Sequence, residues 1–169
     1  MPAKDYEEKI LTSMLSVLYP FGYSKQRALF VKQLSDDVVQ MIQLQKSQAS
    51  TKEHLRVTVN VGVLSLPLAK RLGYHEQKPQ IPLCHWRVRL GHLMPMKQDR
   101  WWEVKESSDA EEVGREIADL LTNYAIPSVE EVNTTEKLRS LWESDRCPGL
   151  TDFQRIEYLT LLQNNIQGK

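Results

Sequence analysis

The sequence predicts an α+β protein: an N-terminal helix, an antiparallel sheet of about five strands in meander order, and C-terminal helices packed on one face of that sheet. Three observations carry this expectation. Leu55, Val57, Val59, Val61 and Val63 alternate strictly with Arg56, Thr58, Asn60 and Gly62, the period of a strand with one buried face. Helical spacing of apolar residues is confined mainly to the segment before Pro20 and the segment after Lys105. The links between the strand-like runs are short, which favours antiparallel neighbours, and strands grouped apart from helices are the mark of the α+β class.

The elements follow in order. Asp5, with Glu8 at capping-box spacing, opens a helix whose Tyr6, Ile10, Met14, Val17 and Leu18 share one face. Pro20 stops it, and Gly22 lets the chain turn. Arg27 to Leu34 and Val38 to Gln45 read as two strands joined at Ser35-Asp36-Asp37, and Ser47 to Glu53 reads as a loop. The Leu55 to Val63 strand comes third. Pro67, Pro79 and Pro82 then limit the next stretch to a turn of helix around Leu68 to Leu72. Alternation resumes with Cys84, Trp86, Val88 and Leu90 on one side and His85, Arg87 and Arg89 on the other. A fifth strand, Arg100 to Lys105, puts Trp102 and Val104 inward, Trp101 and Glu103 outward.

Three helices close the chain. Ser108 to Glu111 is a capping box before Val113, Ile117, Leu120 and Leu121, and Pro127 ends that helix. Thr134 to Trp142 forms a shorter one. After Pro148-Gly149, Thr151 to Gln154 opens a last helix with Phe153, Ile156, Leu159, Leu162 and Ile166 as its core stripe, docking to a partner being the lesser alternative. The expected division is an α+β domain over residues 1–144 and a helical extension over 145–169 packed on it.

Composition narrows the classes. The chain has 169 residues, 41% apolar and 26% charged, with 22 basic and 22 acidic side chains. This is a globular composition, and zero net charge argues against coating nucleic acid by bulk charge. Cys84 and Cys147 form no C-x-x-C pair, so two reduced thiols in a cytoplasmic protein are expected. The charged start lacks the apolar run of a signal peptide, and no membrane association is expected.

Several ordered motifs also match a known pattern. Leu15 to Tyr23 ending in Phe21-Gly22-Tyr23, Val38 to Ser47, Val57 to Val63, Cys84 to Leu90 and the Trp101-Trp102 pair together resemble a bacterial family, domain of unknown function 4304, over about residues 6 to 125. The resemblance implies an α+β fold. It brings no activity, cofactor or catalytic residue.

Charge divides along the chain. Residues 25 to 92 hold eleven Lys or Arg against four Asp or Glu, whereas residues 93 to 169 hold nine against fifteen. Solvated or mutually paired charges are the plain reading, each exposed pair contributing about 0 to 1 kcal/mol. The sharper reading follows the strand period, which places Gln43, Gln45, Arg56, Thr58, Asn60, His85, Arg87 and Arg89 on the outer face, with Trp101 and Glu103 at one side. Such a donor-rich surface suits an anion, an acidic partner or a nucleic-acid strand. The candidate ligand-binding residues are therefore Arg56, Asn60, His85, Arg87, Arg89, Trp101 and Glu103.

His85 with Glu103 could serve as an acid–base pair, though a solvent-facing strand histidine is the simpler reading. No catalytic residue is assigned and no cofactor is expected. His75, His85, His92 and Cys84 do not make a metal site, since His85 and His92 are separated by an odd number of residues and point to opposite faces if one strand holds both. Phosphate-loop, dinucleotide, G-x-S-x-G and H-E-x-x-H motifs are absent. The expectation is a non-catalytic binding module for a protein or anionic partner. An enzyme acting on a phosphorylated or nucleic-acid substrate at the same face is the alternative, and a structural homodimer through that face is the third.

Overall fold

The computed structural model describes residues 2–167, with side chains as far as Gln163. The first helix, α1 (Ala3–Leu18), buries Tyr6, Ile10, Leu11, Met14 and Leu18. It begins three residues earlier than the capping-box spacing suggested, at Ala3 rather than Tyr6. Pro2, in extended conformation, is its N-cap, and Asp5 sits inside the first turn, where a carboxylate favours the helix dipole. A single 3-10 turn at Tyr19–Phe21 and Gly22 at φ +94° lead into the sheet.

The sheet has six strands: β1 (Ser24–Gln26), β2 (Leu29–Leu34), β3 (Val38–Lys46), β4 (Leu55–Ser65), β5 (Trp86–Arg89) and β6 (Trp102–Val104). All pairings are antiparallel. β1 to β5 run as the expected meander, and β6 returns to pair with β4. The strand expected from Arg27 is β2, starting at Leu29, and β1 is an additional strand before it, since Arg27 turns the chain at φ +58° and β1 pairs back on β2. β5 and β6 share one flank of β4 end to end: β5 lies opposite Asn60 to Val63, β6 opposite Leu55 to Val57. Between them runs a short helix, α3 (Leu90–Leu93), and a loop to Trp101.

The inner sheet face carries the main core. Val57, Val59, Val61 and Val63 are fully buried there, as the alternation requires. α4 (Ser107–Leu120) packs on the same side against α1, and Gly114 permits the approach, since a Cβ there would lie 2.6 Å from Ser13 Oγ. Its capping box is Glu106 with Asp109, not the Ser108 to Glu111 pair. Pro127 does not end the helical run. A π turn (Leu121–Ala125), closed by Ile126 N–H donating to Leu121 O, shifts the hydrogen-bond ladder by one residue, and Pro127 falls in the first turn of α5 (Ile126–Glu130), where its missing N–H costs little.

α6 (Thr135–Glu143) is capped by Thr134 and buries Leu138 and Trp142. α7 (Asp152–Gln167) opens with Thr151 and Gln154 exchanging hydrogen bonds, as expected. Its buried face differs from the expected stripe. Tyr158 and Leu162 are inward, Leu159 is half-buried, and Phe153 and Ile156 are exposed; Ile166 lies outside the residues whose side chains are described.

The outer face is not uniformly polar. Val31, Val39, Met41 and Leu64 form a second, smaller core with Ala69, Ile81 and Cys84. The stretch after β4 makes this cover. α2 (Leu66–Leu72), capped by Ser65, turns over the end of the sheet with Leu68 in the main core and Ala69 in the small one. Gly62 lets it close, because a Cβ there would lie 2.6 Å from Cys84 Sγ. Cys84 is therefore buried on the side opposite Trp86, contrary to the expected shared face.

Both cysteines are free. Burial pushes the Cys84 thiol up to about 12, whereas Cys147 is half-buried. Iodoacetamide should therefore modify Cys147 alone in the folded protein and both thiols after denaturation. Intact-mass measurement reads this directly, and equal labelling of Cys84 in the native state would contradict its placement.

Candidate functional site

What stays open on the outer face is the half opposite the small core, built from the lower part of β3 and β4 and the split flank of β4. Strand period brings Gln43, Gln45 and Asn60 side by side. Asn60 Nδ2 donates to Gln45 Oε1 at 2.7 Å and to Gln43 Oε1 at 3.2 Å. The break between β5 and β6 lets the loop fold over, and Thr58 Oγ1 donates to Arg100 O at 2.7 Å. Thr58, expected outward and accessible, is consequently buried.

Beside these amides two guanidinium groups stack on one indole. The Arg56 guanidinium lies 4.8 Å from the Trp101 ring centre, and Arg89 lies 5.2 Å from it. Trp101 comes from the loop between β5 and β6, Arg56 from β4 and Arg89 from β5, so the split flank itself assembles the stack. Asp99 fixes it: Arg89 Nη1 donates to Asp99 Oδ2 at 2.6 Å and Trp101 Nε1 donates to the same oxygen at 3.1 Å. Glu103 stands across from Arg56 in the β4–β6 register, 4.0 Å from its Nε and 3.6 Å from His54 Nε2. All these side chains are partly exposed or exposed, and each cation–π contact there contributes about 0.5 to 1 kcal/mol.

Of the residues expected to form one surface, Arg56, Asn60, Arg89, Trp101 and Glu103 do so. Arg87 lines one hollow with Asn60 and Arg89, whereas His85 stands apart. Arg87 donates to Pro82 O at 3.2 Å and Gly149 O at 2.8 Å, and its backbone N–H donates to Pro148 O at 3.1 Å. Its guanidinium ties the loop before α7 to the sheet at the edge of that hollow. Asp99 and His54 were not found from sequence. Neither lies in a strand, so no alternation signals the face it serves.

His85, expected outward, is fully buried at the far end of β4. The Ser65 N–H donates to His85 Nδ1 at 2.9 Å, so the neutral ring carries its proton on Nε2, which donates to the Tyr74 hydroxyl. Tyr158 of α7 meets the imidazole edge to face at 5.0 Å and Trp142 at 5.5 Å. Burial, and secondarily the Arg87 charge, pushes the imidazole down to about 3. His85 aligns with Leu64 and Glu103 with Arg56, eight residues along β4, or roughly 26 Å at the usual strand rise. They form no acid–base pair. Among the described residues, no three His, Cys, Asp or Glu side chains gather as a metal site, and no helix is long and apolar enough to cross a membrane.

A family model described as a domain of unknown function, DUF4304, matches residues 14–131. The chain belongs to this family. The DUF4304 match takes in all six strands with α4 and α5, and it includes every residue of the Arg56–Trp101–Arg89 stack. α6 and α7 lie beyond it. No curated protein and no solved structure matches the sequence.

Proposed function

We propose that the chain is a non-catalytic interaction domain that docks a protein partner on the open half of its outer sheet face. The arginine-flanked Trp101 is the observation that carries this reading. Trp and Arg dominate the energetics of protein interfaces, and here both arginines and the indole are already held in place, which lowers the entropy lost on docking. The neighbouring amides of Gln43, Gln45 and Asn60 offer donors and acceptors suited to backbone groups and polar side chains.

Charge favours protein over a free anion or a nucleic-acid strand. Arg56 and Arg89 are matched by Glu103 and Asp99, which lowers the positive potential at the stack. Two free cysteines support a reducing, cytoplasmic setting.

The test compares the natural chain with Trp101→Ala and with Glu112→Gln, a control on the exposed face of α4. Circular dichroism should show the same fold for all three. Pull-down from lysate should recover a partner with the natural chain and the control, and at least tenfold less with Trp101→Ala, as for a central interface residue contributing about 2 kcal/mol or more. Full recovery by Trp101→Ala would remove the stack from the account. Salt-sensitive oligonucleotide binding, lost in Arg56→Gln, would replace protein with nucleic acid. A dimer in sedimentation that Trp101→Ala dissociates would identify the partner as a second copy.

A further inference from the structure

A separate concavity lies between the β5–α3 segment and the α5–α6 segment, with a volume of about 370 Å³. Its floor is apolar: Trp86 and Val132 are buried, and Val88, Leu93 and Leu141 pack half-buried beside them. Small-molecule sites typically occupy roughly 300 to 1,000 Å³, apolar-lined with a few placed polar groups. An apolar cavity of roughly 150 Å³ already accommodates benzene, so this one has space for a longer body.

The rim is basic. His92, Lys97 and Arg146 stand on it against one carboxylate, Glu131. The acids next to those cations in sequence are engaged elsewhere. Asp99 is taken by Arg89 at 2.6 Å, and Asp145 by Arg155 at 3.3 Å. Neither Lys97 nor Arg146 has an ion-pair partner among the described residues. The Lys97 backbone is held in place as well. Its N–H closes a turn onto Met94 O at 2.9 Å, and the next carbonyl, Gln98 O, presses onto Gly91 so closely that a Cβ there would stand 2.2 Å away.

We propose that this cleft binds a small amphipathic carboxylate, its apolar body on the Trp86 and Leu141 floor and its charge at the Lys97 and Arg146 rim. Charge complementarity selects an anion over a neutral alkyl ligand, because the two cations lose their competing acids to other partners. The apolar floor selects against inorganic anions, which would leave it wet. This site shares no residue with the Trp101 stack, and the two can succeed or fail independently.

Sodium octanoate and 1-octanol are suitable probes, titrated into the full chain while the Trp86 indole N–H is followed by heteronuclear NMR. Octanoate should give a saturable shift at Trp86 below about 1 mM, with 1-octanol about tenfold weaker, the difference expected for one charge-assisted contact. Lys97→Gln with Arg146→Gln changes two exposed side chains, and it should weaken octanoate about tenfold while leaving 1-octanol unaffected. Glu131→Gln removes the rim carboxylate and should tighten octanoate severalfold, a gain that damage to the fold would not produce. The proposal is overturned if octanoate gives no saturable shift at Trp86, if octanoate and 1-octanol bind equally, or if the double variant binds octanoate as the natural chain does.

Discussion

Val59→Asp should leave the chain unfolded at room temperature. Val59 is fully buried at the centre of β4, the longest strand, with β3 on one side and the β5–β6 gap on the other. The substitution removes about 1.5 to 3 kcal/mol of apolar burial. It also places a carboxylate among valines with no partner, a cost of several kcal/mol even when the group protonates. Together these approach the 5 to 15 kcal/mol by which native proteins are usually stable. Far-ultraviolet circular dichroism and a thermal melt decide the matter. An unchanged melting temperature would mean that the register is displaced by one residue, since such a slip turns every side chain of β4 to the other face.

Stability should also decline steeply on mild acidification, and His85 should be a principal cause. Its folded pKa of about 3 lies far below the ordinary histidine value of 6.5. Well above pH 6.5 the ring is neutral in both states and pH has no effect through it. Between 6.5 and 3 the unfolded chain binds a proton that the folded chain refuses, so stability falls by about 1.4 kcal/mol for each unit of decreasing pH. From pH 7.5 to pH 5 the loss amounts to about 2 kcal/mol, in a range where most carboxylates are still ionised. Urea denaturation across that range measures it. His85→Gln should be less stable at neutral pH, because the Ser65 and Tyr74 contacts are disturbed, yet its stability should vary much less between pH 7.5 and 5. An equal pH slope in the variant would assign the proton uptake to other groups.

The elements legible in the sequence are those whose pattern is set by one neighbour. β4 alternates because one side meets α1 and the main core, and α7 could be located from the Pro148-Gly149 break and the Thr151 and Gln154 cap. What the sequence did not reveal involves a second neighbour. Leu64 and Met41 look like ordinary members of an outer face until the chain after β4 folds back over them. His85 obeys the strand period on paper, but it precedes β5, and Ser65, Tyr74 and Tyr158 of α7 close around it. α7 illustrates the limit of periodicity. Apolar residues fall on several sides of it, so spacing alone does not choose a face. Contact with Trp142 and His85 selects Tyr158 and Leu162 and leaves Phe153 and Ile156 outside.

The candidate site was partly legible for the same reason. Arg56, Asn60, Arg89 and Glu103 could be placed by alternation, and the register that sets Glu103 across from Arg56 comes from the fold. The role of Trp101 as the ring that both guanidinium groups stack on could not, because it depends on β6 skipping back to β4 and on Asp99 in the intervening loop.

That split flank has one more consequence, which concerns self-association during folding and storage. A sheet with long bare edges invites other chains to add strands and grow into aggregates. Here the β4 flank is filled by two short strands, and β5 in turn is covered where Pro148 accepts from the Arg87 N–H and Gly149 lies against the Arg87 carbonyl. The opposite border is β1, three exposed residues long, with Lys25 near Glu8 and a sharp turn at Arg27. Neither border offers a run long enough to template an incoming chain, so the folded protein should resist strand-by-strand polymerisation.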